Sequence, residues 1–148
     1  MNLKLAARII RTGAVLLAVV TLTACSVSFT TSHLSSLSVS KDKDGTTAAS
    51  SFGPHDTIYA KGTVANVSGT VTLKWRLIAE KVQGQTDNFA IPGLDKSFEL
   101  PSDGSSTYDL SAPDAGWPPG TYKIELHMLV EGGEEKDLKT AEFTVAGS

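Results

Sequence analysis

The sequence predicts an all-β domain of about seven to eight antiparallel strands. Three observations carry this. Apolar residues recur with a period of two along most of the chain after residue 34. Turn dipeptides separate the runs at short intervals. No amphipathic stretch of period 3.6 has useful length beyond the first two dozen residues. Strict alternation marks strands buried on one face only, and many short strands with regular turns close into a sandwich or barrel.

The elements follow in order. Leu37 and Val39 alternate with Ser38 and Ser40, and Asp44-Gly45 then supplies a hairpin dipeptide. Ile58, Ala60, Gly62 and Val64 form the apolar face of the next run. After Val67-Ser68-Gly69, the residues Val71, Leu73, Trp75 and Leu77 repeat the pattern. Glu80 to Asn88 is polar and reads as a loop or a short edge strand. Phe98 and Leu100 flank Glu99, and Tyr108 and Leu110 flank Asp109, with turns at Pro92-Gly93 and Asp103-Gly104. The longest run holds Tyr122, Ile124, Leu126, Met128 and Val130. Gly132-Gly133 ends it, and Ala141, Phe143 and Val145 close the domain.

The first 24 residues have a different character. Lys4, Arg8 and Arg11 form a positive region, Gly13 to Val20 is apolar, and Ala24 is small. These are the parts of a helical secretory signal peptide. The uncharged run from Thr12 to Cys25 is short of the roughly 20 residues that cross a bilayer as a helix. Leu22 is too large for an ordinary A-x-A cleavage site. Leu22-Thr23-Ala24-Cys25 instead resembles the lipobox of bacterial lipoproteins. The resemblance implies cleavage between Ala24 and Cys25, with Cys25 carrying two or three acyl chains (palmitate among them) as residue one of the mature chain. Each buried methylene contributes about 0.8 kcal/mol, and more than one chain is needed for stable anchoring. In such families the next residue biases sorting, and Ser26 implies delivery to the outer membrane, with the domain in the periplasm or beyond it.

Three segments result: signal peptide 1–24, lipidated Cys and tether 25–33, and β domain 34–146. The tether is Ser/Thr-rich and reads as a loose coil reaching about 15 Å. Cys25 is the only cysteine, so the domain rests on its core with no internal disulfide. The whole chain has net charge −3. Lys4, Arg8 and Arg11 leave with the leader, so ten basic residues then face sixteen acidic ones, for a net −6. That balance argues against nucleic acid as a partner.

One stretch narrows the fold. Gly116-Trp117-Pro118-Pro119-Gly120-Thr121-Tyr122 opens the longest run. A turn ending in Gly-x-Tyr before a strand resembles the tyrosine corner of immunoglobulin-like sandwiches, and Trp75 resembles their core tryptophan on strand C. The resemblance implies that the Tyr122 hydroxyl bonds back to upstream backbone. Ile124 stands where the second antibody cysteine would lie, and Ala60 or Gly62 where the first would. The chain also resembles bacterial lipoproteins with one such domain, through Phe52-x-Pro54-x-Asp56-x-Ile58-Tyr59, Trp75 and Trp117-Pro118-Pro119-Gly120-x-Tyr122.

The sequence offers little chemistry. His33 falls in the tether, His55 in a turn and His127 on the polar face of a strand, with no metal-ligand spacing. Asp42-Lys43-Asp44-Gly45 lacks the Glu of a calcium loop, since Ser51 occupies that place. No G-x-S-x-G, P-loop or G-x-G-x-x-G occurs, and Glu134-Glu135 reads as a solvated turn. The expectation is therefore no catalytic residue, no metal and no cofactor beyond the lipid on Cys25. Trp117 is the candidate contact residue, placed to stack on a sugar or anchor a protein. Its alternative role is to cap the core beside Tyr122. Tyr59, Ile78, Arg76 and Lys74 offer another surface. The functional expectation is a lipid-anchored, non-catalytic envelope protein that binds a protein or glycan. The alternatives are a structural or assembly component of the envelope, or an enzyme with scattered polar residues.

Overall fold

The computed structural model describes residues 31–147. The signal peptide with Ala24, the lipidation residue Cys25, Ser26 and the tether up to residue 30 lie outside the described residues. Within them the chain is all-β, with no helix and nine strands. These are β1 (His33–Ser40), β2 (Ser51–Phe52), β3 (Ile58–Ala65), β4 (Val71–Val82), β5 (Phe89–Ala90), β6 (Lys96–Leu100), β7 (Gly104–Leu110), β8 (Gly120–Leu129) and β9 (Glu135–Val145). β1 starts at His33, so this residue belongs to a strand and not to the tether.

Two sheets face one another. One has the order β1-β3-β7; the other has β2-β9-β8-β4-β5, with β6 also paired to β4. Alternation explains how they meet. Ile58, Ala60 and Val64 of β3 point inward, and so do Leu73, Trp75 and Leu77 of β4 and Tyr122, Ile124, Leu126 and Met128 of β8. All are at most 1 % exposed. The two faces form one apolar cluster. Trp75 stacks on Tyr108 with ring centroids 5.3 Å apart and donates Nε1–H to the Ser106 hydroxyl at 2.9 Å. No buried side-chain polar atom lacks a partner among the described residues.

The antiparallel expectation needs one correction. β2 pairs with β9 in parallel, Ser51 opposite Thr144 and Phe52 opposite Val145. Before β2 the chain turns at Asp42 and folds back on β1, with Ala48 opposite Ser40 and Ala49 N–H donating to Val39 O at 2.9 Å. Asp42 accepts hydrogen bonds from Thr46 N–H (2.8 Å), Thr46 Oγ1 (2.9 Å) and Thr47 N–H (2.6 Å). These bonds, that from the Thr46 amide foremost, hold its carboxyl down to about 2. The turned chain leaves the first sheet and lays Phe52 into the core against Phe143 of the second. The carboxylate that faintly suggested a calcium ligand is spent on its own turn.

The body has two distinct ends. The chain enters at one, where Ser32 Oγ donates to Asn66 O at 3.0 Å and Leu34 N–H donates to Asp137 of β9 at 2.8 Å. At the other, Trp117 N–H donates to Pro54 O at 2.7 Å, and Gln83 N–H to Pro119 O at 3.1 Å. β4, twelve residues long, runs from the first end to the second.

Candidate functional site

Three segments meet at the end away from the entry point. Polar residues 80–88 divide between the tip of β4 and a turn, which Asn88 N–H closes by donating to Glu80 O at 3.0 Å. The chain returns as β5, pairing Ile78 with Ala90 and Ala79 with Phe89. The loop from β7 to β8 packs opposite. Between them lies a cleft of about 270 Å³. Phe89, Ile91 and Pro92 form one wall. Pro113, Trp117 and Pro118 form the other, with Val82 and Tyr122 beneath and Gln85 as the polar lining residue. Concave apolar sites with few polar groups are the usual form of a small-molecule site, and this one is near the lower end of their size range.

The cleft is rigid at its base. The Tyr122 hydroxyl donates to Pro118 O at 2.8 Å, four residues upstream. Burial alone raises this phenol to about 12. Tyr122 stacks on Phe143 at 5.3 Å and meets Trp117 edge-on at 6.0 Å. The Trp117 indole N–H donates to Asp56 O at 3.1 Å. Gly116 (φ +81°) lets the loop approach Pro54, where a β-carbon would sit 3.0 Å from the Pro54 carbonyl oxygen. Trp117 is 5 % exposed. It therefore presents no open platform for a sugar or protein, and its role is to line the cleft and brace the loop.

The exposed aromatic of the cleft is Phe89, at 42 %. Periodicity does not single it out, because β5 has only two residues. An aromatic followed by Ile91-Pro92-Gly93 was the available signal. The other proposed surface does not assemble. Tyr59 lies in the opposite sheet, and Ile78 is 6 % exposed beside β5. Lys74 and Arg76 do share a groove on the outer face of the second sheet, with His127 and Glu135.

The histidines stay on separate elements: His33 on β1, His55 in the turn after β2, His127 on β8. No group of three His, Cys, Asp or Glu side chains could hold a metal ion among the described residues. His127 is no plain surface residue. Its Nδ1 lies 2.6 Å from Glu135 and its Nε2 3.3 Å from Glu125. Glu134 instead pairs with Lys136 at 2.9 Å, so the Glu134-Glu135 pair is divided between two partners.

No protein-family model and no curated protein matches the chain. Among solved structures it is similar to a Pseudomonas fluorescens alkylpurine DNA glycosylase, AlkC, bound to DNA containing an abasic site analog. The TM-score is 0.51 at 15 % identity, over 78 % of this chain and 30 % of that one. The chain thus spans under a third of that protein's length, and the likeness is one of fold.

Three expectations are corrected by this finding. The non-catalytic envelope role, with its structural or assembly alternative, leaned on analogy from the fold. The reading of the chain as no enzyme rested on missing catalytic motifs, and nucleic acid was set aside on net charge. A similar fold occurs within a DNA glycosylase bound to DNA. This architecture sets the chain apart from neither enzymes nor nucleic acid.

Proposed function

We propose that this chain is a lipid-anchored, immunoglobulin-like domain that takes the flat apolar ring of a small molecule into the cleft between Phe89 and Trp117. The observation that carries the binding reading is the cleft itself: about 270 Å³, lined by three aromatic side chains and three prolines. Aromatic faces and stiff proline walls favour a planar group, because little side-chain entropy is lost when it enters.

The immunoglobulin-like assignment is supported by strand order. β1, β3 and β7 stand where strands A, B and E of that fold lie, and β4, β8 and β9 stand as C, F and G. Trp75 is then on C and Tyr122 near the start of F. Ile124 and Ala60, both 0 % exposed, belong to one apolar core cluster, which is consistent with an apolar pair in place of a bridge.

The ligand test uses Trp117 as reporter. An anilinonaphthalene sulfonate dye should bind the folded chain at one site and change tryptophan emission. Phe89→Ser should weaken that binding about tenfold, the loss of one buried aromatic contact. Binding unchanged in Phe89→Ser would overturn the reading. A second reading, a DNA base in the same cleft, is favoured by the DNA-bound structural neighbour. A single-stranded oligonucleotide that displaces the dye would select it.

Anchoring rests on Leu22-Thr23-Ala24-Cys25, and Ser26 supports the outer membrane as destination. The mature wild-type protein should carry the mass of its acyl chains and partition into detergent. Cys25→Ser should lose both. Equal masses and equal partitioning in the two proteins would sink the anchor.

A further inference from the structure

The hydrogen-bond donors around the apolar cleft are already engaged. Of the side chains that line it, only those of Gln85, Trp117 and Tyr122 carry a nitrogen or oxygen. The Trp117 indole N–H goes to the Asp56 carbonyl at 3.1 Å, and the Tyr122 hydroxyl hydrogen to the Pro118 carbonyl at 2.8 Å.

The main chain is engaged as well. Pro92, Pro113 and Pro118 line the cleft, and a proline has no N–H to offer. Trp117 N–H donates to Pro54 O at 2.7 Å, Ile91 N–H to Leu77 O at 2.9 Å and Gln85 N–H to Val82 O at 3.1 Å. The other lining residues, Val82, Phe89 and Tyr122, stand in paired strands. Among the described residues, Gln85 is thus the one lining residue whose side-chain donor makes no hydrogen bond. It is exposed, so it stands at the mouth and not on the floor.

We propose that the cleft selects all-carbon rings. It admits a one- or two-ring aromatic hydrocarbon, with a polar substituent left at the mouth beside Gln85. It turns away rings that carry acceptor atoms, nucleobases and sugars included. A ring nitrogen or oxygen taken from water into the cleft meets no free donor, and each stranded acceptor weakens binding about fivefold or more. A carbon ring strands nothing and gains by burying its apolar surface. The cleft volume, about 270 Å³, suits a molecule of one or two rings. This inference rests on the cleft being a ligand site and adds the class of ligand.

The experiment is displacement of the naphthalene dye from the full folded chain by two molecules of one outline and one charge. These are β-naphthoate and the quinoxaline carboxylate that matches it, in which two ring C–H groups are replaced by nitrogen. β-Naphthoate should displace the dye, and the quinoxaline should do so at least about tenfold more weakly. Adenylate and glucuronate should leave the dye in place at concentrations where β-naphthoate saturates. The selectivity is overturned, with the cleft still standing as a site, if the quinoxaline or adenylate displaces the dye as well as β-naphthoate does. It is also overturned if β-naphthoate leaves a bound dye in place. A dye that does not bind, or whose binding ignores Phe89→Ser, overturns the cleft reading itself and this inference with it.

Discussion

Trp75→Ala is expected to lower folding stability by about 3–5 kcal/mol, the range for deleting a large buried aromatic. Trp75 is 1 % exposed and sits where both sheets converge. Three things go at once. The stack on Tyr108 at 5.3 Å is lost. The Ser106 hydroxyl, 8 % exposed, loses the donor 2.9 Å away. A cavity opens beside Gly62, which packs directly against the indole: a β-carbon there would sit 3.1 Å from two of its ring atoms. Denaturant unfolding should show a lower midpoint with an unchanged slope. Trp75→Phe keeps bulk but not the N–H, and should cost about 1–3 kcal/mol. A loss below about 1 kcal/mol for Trp75→Ala would mean that the two sheets do not depend on this contact.

Gly120→Ala is expected to be of similar size, about 3 kcal/mol or more, for a backbone reason. Gly120 has φ +150°, and it pairs with Val82 at the tip of β4. An added β-carbon would run into the Lys81 carbonyl oxygen and lie 2.6 Å from the Val82 α-carbon. Both are main-chain atoms, so no rotamer change relieves the collision. The strand pairing shifts register between Ala79 and Lys81 just there, and this irregularity brings β4 close enough to require glycine. Gly132→Ala is the control. Its φ is +91° with nothing within 4 Å, so only conformational strain of about 1 kcal/mol applies. If the two variants melt at the same denaturant concentration, the close approach at Gly120 has no energetic weight. Because Gly120 joins the Pro118-Pro119 turn to β8, its substitution should also abolish dye binding in the apolar cleft.

Much of the strand pattern could be read directly. A half-buried strand writes its inner face into every second residue, so Ile58 to Val64, Val71 to Leu77 and Tyr122 to Met128 announced themselves. Three elements did not, β5 among them with its two residues, Phe89 and Ala90. β2 has two residues, too few for a period. The first half of β9, from Glu135 to Lys139, is polar apart from Leu138, which is 43 % exposed. That half is held by backbone pairing to β8 and by Asp137 reaching Leu34, and neither leaves an apolar signature. The site was harder still. Trp117 was singled out, yet its neighbours Phe89, Ile91 and Pro92 lie some distance away in sequence and join it only through folding. His127 read as a lone polar residue, because the carboxylate on β9 that faces it comes into range only when the β8–β9 hairpin closes.

By itself the sequence determined the all-β class, the inward faces of the long strands and the placement of Trp75 and Tyr122. These follow from local periodicity and turn chemistry, which act within a few residues. Only the tertiary structure decided which strand joins which sheet, the parallel pairing of β2, the burial of Trp117 and the two concave surfaces. Each of these depends on residues far apart in the chain, whose approach is set by the packing of the whole core and by no local pattern.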